Sequence, residues 1–190
     1  MSFFKKYSYI IVKLFLNQFA ISLFGIGLAF ACGYAQNNTL LLVTSIFSVI
    51  FYLFLEYAII WEVGAKDGIT ATSRHTSRGL WRGFVLSICA NVINIIAALM
   101  VFSKVFTGAE NQVSAVGQFI AMVLQGMFQG ILSQRVGAAQ LNDFWWVYFL
   151  ILIPAILVTG LGYIIGNFGW HFTNILIPKN KDVKNNGRPK

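Results

Sequence analysis

The chain has 190 residues, of which 57% are hydrophobic and 11% charged, and its mean hydropathy is +0.71. A soluble domain carries about 25% charged residues, so this composition excludes an ordinary water-soluble globule and points to a surface covered by lipid. The net charge of +8 sits beside apolar runs, which favours anchoring at a membrane surface over nucleic-acid binding.

Lys5, Lys6 and Lys13 precede an apolar run from about Leu14 to Tyr34. As a helix that run is about 32 Å long, enough to cross the hydrocarbon. It exceeds a signal-peptide core, and Phe30 spoils the Ala29-Phe30-Ala31-Cys32 stretch as a lipoprotein cleavage box. We expect a retained first span. Gln36-Asn37-Asn38-Thr39 reads as a turn, and a second span runs from about Leu40 to Ile60, closing at the interfacial Trp61. A charged cytoplasmic loop is expected from Glu62 to Ser77. A third span follows from about Leu80 to Val105, with Trp81 near its start.

The segment from Val113 to Ile131 is apolar but carries Gln118, Gln125 and Gln129, which fall within about 40° on a helical wheel. It is expected to be one helix with an amide face, lying in the interface or re-entering the membrane. Gly126-x-x-x-Gly130 offers a close-packing pair. The last span runs from about Phe144 to Gly166, with a kink expected at Pro154. His171, beside Trp170, reads as an interfacial anchor. The resulting expectation is an all-α, polytopic integral membrane protein with four transmembrane helices plus one interfacial or re-entrant helix. Residues 1–178 form a single transmembrane domain and 179–190 a basic, flexible cytoplasmic tail.

Four spans place 12 of the 14 Lys and Arg residues on one side, leaving Lys104 and Arg135 on the other. Basic residues accumulate on the cytoplasmic face, so both termini are expected inside. A fifth span would put the basic tail outside. Keeping it inside would then need two spans within 144–178, too few residues for two crossings and a turn.

Glu56 stands out chemically, because an ionisable group within a span is expensive and marks a functional hypothesis. Ser45, Ser48, Tyr52 and Glu56 share one helical face, and on the third span Gly83, Ser87, Asn91 and Asn94 do the same. The two stripes are expected to face each other, either as hydrogen-bonding glue between helices or as a polar pathway. Glu62, Lys66, Asp67, Arg74, His75, Arg78 and Arg82 form the charged cytoplasmic cluster. One His near two carboxylates suits acid–base work, while a solvated loop touching lipid head groups suits the same residues. Cys32 and Cys89 lie in apolar runs, the two His are far apart, and no zinc-ligand, nucleotide-binding or nucleophile motif occurs. No metal or cofactor is expected.

Trp61-x-x-Gly64-x-Lys66-Asp67, Gly79-Leu80-x-x-Gly83, Pro154 and Gly160-x-Gly162-Tyr163-x-x-Gly166 resemble segments of small, functionally uncharacterised membrane proteins of Gram-positive Firmicutes bacteria. The resemblance implies a bacterial plasma membrane and carries no activity. Three function classes stand open. The first is a subunit or accessory of a larger membrane complex, partnered by lipids and by another protein or a second copy. The second is a small stand-alone transporter or channel with a polar pathway near Glu56. The third is a membrane enzyme acting on lipid-linked substrates.

Overall fold

The computed structural model describes residues 3–107 and 111–170. His171 and the basic tail at 179–190 lie outside the described residues. The chain is mostly helical. Two long helices open it, α1 (Phe3–Tyr34) and α2 (Asn38–Ser73), joined by a turn in which the Asn37 side chain accepts the Leu40 N–H at 2.9 Å. Their order continues through α3 (Arg82–Ala90), α4 (Val92–Phe102), α5 (Lys104–Thr107), α6 (Gln112–Leu124), a 3₁₀ turn (Gly126–Phe128) and α7 (Gln129–Leu132). A two-stranded hairpin, β1 (Arg135–Val136) with β2 (Ala139–Gln140), leads to α8 (Val147–Leu150) and α9 (Ile153–Asn167). The hairpin is a small departure from the all-α expectation.

Three helices are long and apolar enough to cross a membrane: Phe3–Tyr34, Asn38–Ser73 and Val147–Asn167. Two further pairs meet the same criterion only when joined across a bend. Arg82–Ala90 with Val92–Thr107 bends by 61°, and Gln112–Leu124 with Gly126–Leu132 bends by 87°.

Several expected boundaries shift, each for a physical reason. The stretch from Glu62 to Ser77, read as a loop, is helical through Ser73. Glycine weakens a helix by about 1 kcal/mol, but Gly64 and Gly68 are where α2 meets α9, so packing offsets that cost. A Cβ on Gly64 would fall 2.3 Å from the Tyr163 carbonyl oxygen, one on Gly68 2.3 Å from that of Asn167, and one on Gly166 2.2 Å from that of Trp61. The single amphipathic helix expected over 113–131 is broken at Gln125. Pro154 lies inside the Val147–Asn167 span, just after the turn at Ile151–Leu152 and at the first turn of α9, where its missing N–H is tolerated.

The two ends of the bundle can be told apart. At one end Phe3 stacks on Trp81 with ring centroids 6.0 Å apart, Trp61 Nε1 donates to the Trp170 carbonyl at 2.9 Å, and Asn167 donates to the Arg78 carbonyl at 3.4 Å. At the other end Cys32 approaches Thr44 at 3.6 Å, and the Lys104 ammonium donates to the Asp143 carbonyl. The bent pair α6–α7 starts and finishes at this second end. Asn111, which caps α6, sits beside Ser103, and Gly130 on α7 packs against Leu41 at the start of α2. A central apolar cluster holds Ile21, Tyr52, Met127, Phe128, Ile151 and Ala155.

Candidate functional site

Polar side chains inside the bundle fall into three levels. The first level sits at the end that holds the N-terminus of α1. Asp67, only 7% exposed, is clasped from three other helices. Its Oδ1 accepts from Lys6 Nζ at 2.6 Å, and its Oδ2 accepts from the Tyr7 hydroxyl at 2.5 Å and the Tyr163 hydroxyl at 2.7 Å. Arg82 lies 3.9 Å from the same oxygen and donates to the Tyr7 hydroxyl at 3.4 Å. A buried carboxylate needs this many donors, because leaving water is expensive unless its lone pairs are satisfied. The knot ties α1, α2, α3 and α9 at one point.

The expected charged cluster is therefore divided. Asp67 and Arg82 enter the knot. Glu62 and Lys66 form an exposed pair at 2.6 Å, one turn apart on α2. Arg74 and His75 remain exposed, and the Arg78 guanidinium lies 4.8 Å over the Phe168 ring. Among the described residues no His joins the carboxylate: His75 is exposed and apart from the knot.

The second level is Glu56, 3% exposed, whose Oε1 accepts from Asn17 Nδ2 at 3.0 Å. The sequence reading placed its partner on the third span. The partner instead lies on the first helix, because α1 and α2 pack as an antiparallel pair. Lys6 with Asp67 and Asn17 with Glu56 belong to one register, since both pairs of residue numbers sum to the same value.

The third level is central. Gln18 from the middle of α1, Tyr52 from α2, Asn91, Gln125 and the Ile151–Leu152 junction surround a closed gap too small to admit a water molecule. Tyr52 and Asn91, one from each expected stripe, both line this gap, as do Gln18 and Gln125. Two breaks of helix coincide at this level, Asn91 between α3 and α4 and Gln125 after α6, while Ile151–Leu152 is a helical turn inside the Val147–Asn167 span. Asn91 closes its own break, donating to the Ser87 carbonyl at 3.0 Å and accepting from Asn94 at 3.0 Å. Gln125 is 1% exposed, yet neither its Nε2 nor its Oε1 has a hydrogen-bond partner, and Asn94 Oδ1 has none either. Buried amides are almost always paired, so such exceptions call for an explanation.

Of the other stripe residues, Ser45 and Ser48 serve the backbone, and Ser87 is buried on α3. Ser45 accepts the Gly130 N–H at 2.7 Å, and Ser48 donates to the Thr44 carbonyl at 2.8 Å. Ser22, which the sequence reading passed over, accepts the Gly126 N–H at 2.6 Å and donates to the Val123 carbonyl at 2.6 Å. Lys6, Tyr7, Asn17, Gln18 and Tyr163 were likewise not singled out as site residues. One signal could have found Lys6 and Asn17: their spacing along α1 equals that of Glu56 and Asp67 along α2.

No protein-family model, curated protein or solved structure matches this chain.

Proposed function

We propose that this chain is a multi-pass protein of a bacterial plasma membrane that passes a small, uncharged polar solute through its centre. The observation that carries the reading is the coincidence of two helix breaks, at Asn91 and Gln125, with the unpartnered Gln125 amide. In a membrane, broken helices are tolerated where their ends face protein or line a path, and transporters hold substrates at such discontinuities near the midplane. Gln125 has both donors and an acceptor free, which suits a solute with hydroxyl or amide groups. No carboxylate lines the gap, and Glu56 is already engaged by Asn17, so a cation is the less suited cargo. The gap is closed in this conformation, so passage requires the walls to part.

Four spans plus a re-entrant segment fit this reading. The Arg82–Thr107 pair counts as one broken span, and the α6–α7 pair enters from the end near Ser103, reaches the gap at Gln125 and returns beside Leu41. The gathering of Lys6, Lys66, Arg78 and Arg82 around the α1 N-terminus supports a cytoplasmic assignment for that end, with both termini inside.

The test is solute-driven swelling of proteoliposomes with a panel of neutral solutes of the size of urea and glycerol. Swelling faster than in protein-free liposomes is expected. Gln125→Leu should abolish the difference without lowering thermal stability. A panel with no response, together with a stoichiometric partner co-purifying from native membrane, would replace this reading with that of a complex subunit. That second reading has an observation of its own. A surface notch lined by Phe30, Leu41, Phe119 and Met122 also carries Gln129, an amide that a lipid tail cannot satisfy and a partner helix can.

A further inference from the structure

A second site lies on the outer face of the α1–α2 pair, away from the central gap. A groove there is lined at its mouth by Lys6, Glu62, Lys66 and Asp67, and farther in by Ile10, Lys13 and Ile59. Beside it lies a lower pocket formed by Tyr9, Val12, Leu16 and Asn17, and Tyr9, Lys13 and Ile59 line both. Polarity therefore falls from the charged groove to the more apolar pocket.

Lys13 is the residue without an account. It is exposed and forms no hydrogen bond or ion pair among the described residues. It follows Lys6 by seven residues on α1, which places it about 10 Å deeper than the Asp67 knot. The two other lysines of the groove are committed, Lys6 to Asp67 and Lys66 to Glu62. Lys13 feels the Glu62 charge through space but makes no direct ion pair with it, Glu62 being held by Lys66. With three lysines against two carboxylates, the groove keeps an excess positive charge, and that excess sits at Lys13. A lone ammonium below the level of the charged end is costly unless it reaches an anion or water. The Lys66–Glu62 pair is exposed and one turn apart, worth only about 0.3–0.5 kcal/mol, so Lys66 can turn toward a stronger anion.

We infer that this groove binds an anionic phospholipid. The phosphate lies between Lys13 and Lys66, and one acyl chain runs along Val12, Leu16 and Ile59. A basic pocket between helices at the cytoplasmic side is suited to anionic head groups. Here the adjoining apolar pocket favours a lipid over free phosphate, because only a lipid fills both. The inference depends on the chain lying in a membrane and not on what crosses its centre.

The test uses the purified full-length chain in neutral detergent. Phosphatidylglycerol should raise Tm, whereas phosphatidylcholine with the same acyl chains and sodium phosphate at equal concentration should not. Native mass spectrometry should show phosphatidylglycerol retained, with Lys13→Gln weakening it about tenfold, the loss of one charge-assisted hydrogen bond. Lys13→Arg should retain it. Lys5→Gln, which removes an exposed charge outside the groove, should leave binding unchanged. Equal stabilisation by phosphatidylcholine or by phosphate overturns the inference. So does equal weakening by Lys5→Gln and Lys13→Gln, since that would mark general surface charge.

Discussion

Asn17 donates to Glu56 at 3.0 Å across the α1–α2 pair, in the same antiparallel register that sets Lys6 against Asp67 at 2.6 Å. The two polar rungs are eleven residues apart on each helix, about three turns, and so lie on one face. Between and beside them the contacts are apolar, so a register slip would strand both rungs at once. Glu56→Gln keeps an acceptor for Asn17, and we expect its stability to stay within about 1 kcal/mol of the parent. Asn17→Leu leaves a buried carboxylate without its donor and should lose about 1–3 kcal/mol or more. Replacing both by Leu should recover most of that loss, because no polar group is then stranded. A double-mutant cycle in thermal or denaturant unfolding reads the coupling; purely additive losses would count against the pairing.

Asp67 collects donors from α1 and α9 and a further cation from α3, so its loss should reach all of them. Asp67→Ala leaves the Tyr7 and Tyr163 hydroxyls without their carboxylate acceptor and removes the counter-charge of Lys6 and Arg82. The expected cost is about 3–5 kcal/mol, as for a broken buried pair. Tyr163→Phe removes one donor only and should cost less than half as much. Thermal unfolding of detergent-solubilised protein ranks the two; a larger loss for Tyr163→Phe would contradict the described geometry.

Glycines on these helices separate into two kinds. A methyl at Gly68 or Gly166 would meet the backbone of the facing helix at 2.3 or 2.2 Å, whereas one at Gly27 meets nothing within 4 Å. Gly68→Ala and Gly166→Ala should therefore push α2 and α9 apart and destabilise. Gly27→Ala should stabilise by up to about 1 kcal/mol through reduced backbone freedom. Loss of stability in all three would mean that lipid or partner contacts at Gly27 matter more than helix propensity.

The long apolar runs were legible because span length is set by bilayer thickness, so α1 and α2 contain the runs Leu14–Tyr34 and Leu40–Ile60, though α1 begins eleven residues earlier, at Phe3. The continuation of α2 past Trp61 was hidden. Glu62, Lys66 and Asp67 look like loop composition until Gly64 and Gly68 are seen packed on α9. The breaks at Asn91 and Gln125 were hidden for a related reason. Neither has a proline, and the local pattern continues apolar on both sides. At Gln125 the freed backbone groups are met by Ser22 from α1, whereas Asn91 closes its break with its own side chain, and neither partnership shows in the local pattern. The eleven-residue match between Lys6–Asn17 and Glu56–Asp67 was readable in principle, but only after pairing α1 with α2.

The proposed orientation puts the N-terminus, the Arg74–Arg78 turn and the C-terminus on the cytoplasmic side. A reporter fused after Lys190 should signal cytoplasm, and one inserted at Gln36 should signal the exterior. A C-terminal tag accessible from outside intact cells would refute the four-span arrangement.

Ser22 and Ser48 are equally buried, each 0% exposed, yet they should respond differently to loss of the hydroxyl. Ser48 bonds only the Thr44 carbonyl one turn back on its own helix. That carbonyl keeps its helical N–H donor, so Ser48→Ala strands nothing and should cost well under about 1 kcal/mol. Ser22 instead reaches across to the broken segment. It accepts the Gly126 N–H and donates to the Val123 carbonyl, the two backbone groups on either side of Gln125. In an apolar surround each stranded group costs about 1–3 kcal/mol, and no water can enter the adjoining gap to relieve it. Ser22→Ala should therefore lower stability several-fold more than Ser48→Ala. It should also raise amide hydrogen exchange across 123–132 before the rest of the bundle opens. Equal effects from the two substitutions, or unchanged exchange in that segment, would show that the break at Gln125 does not depend on Ser22.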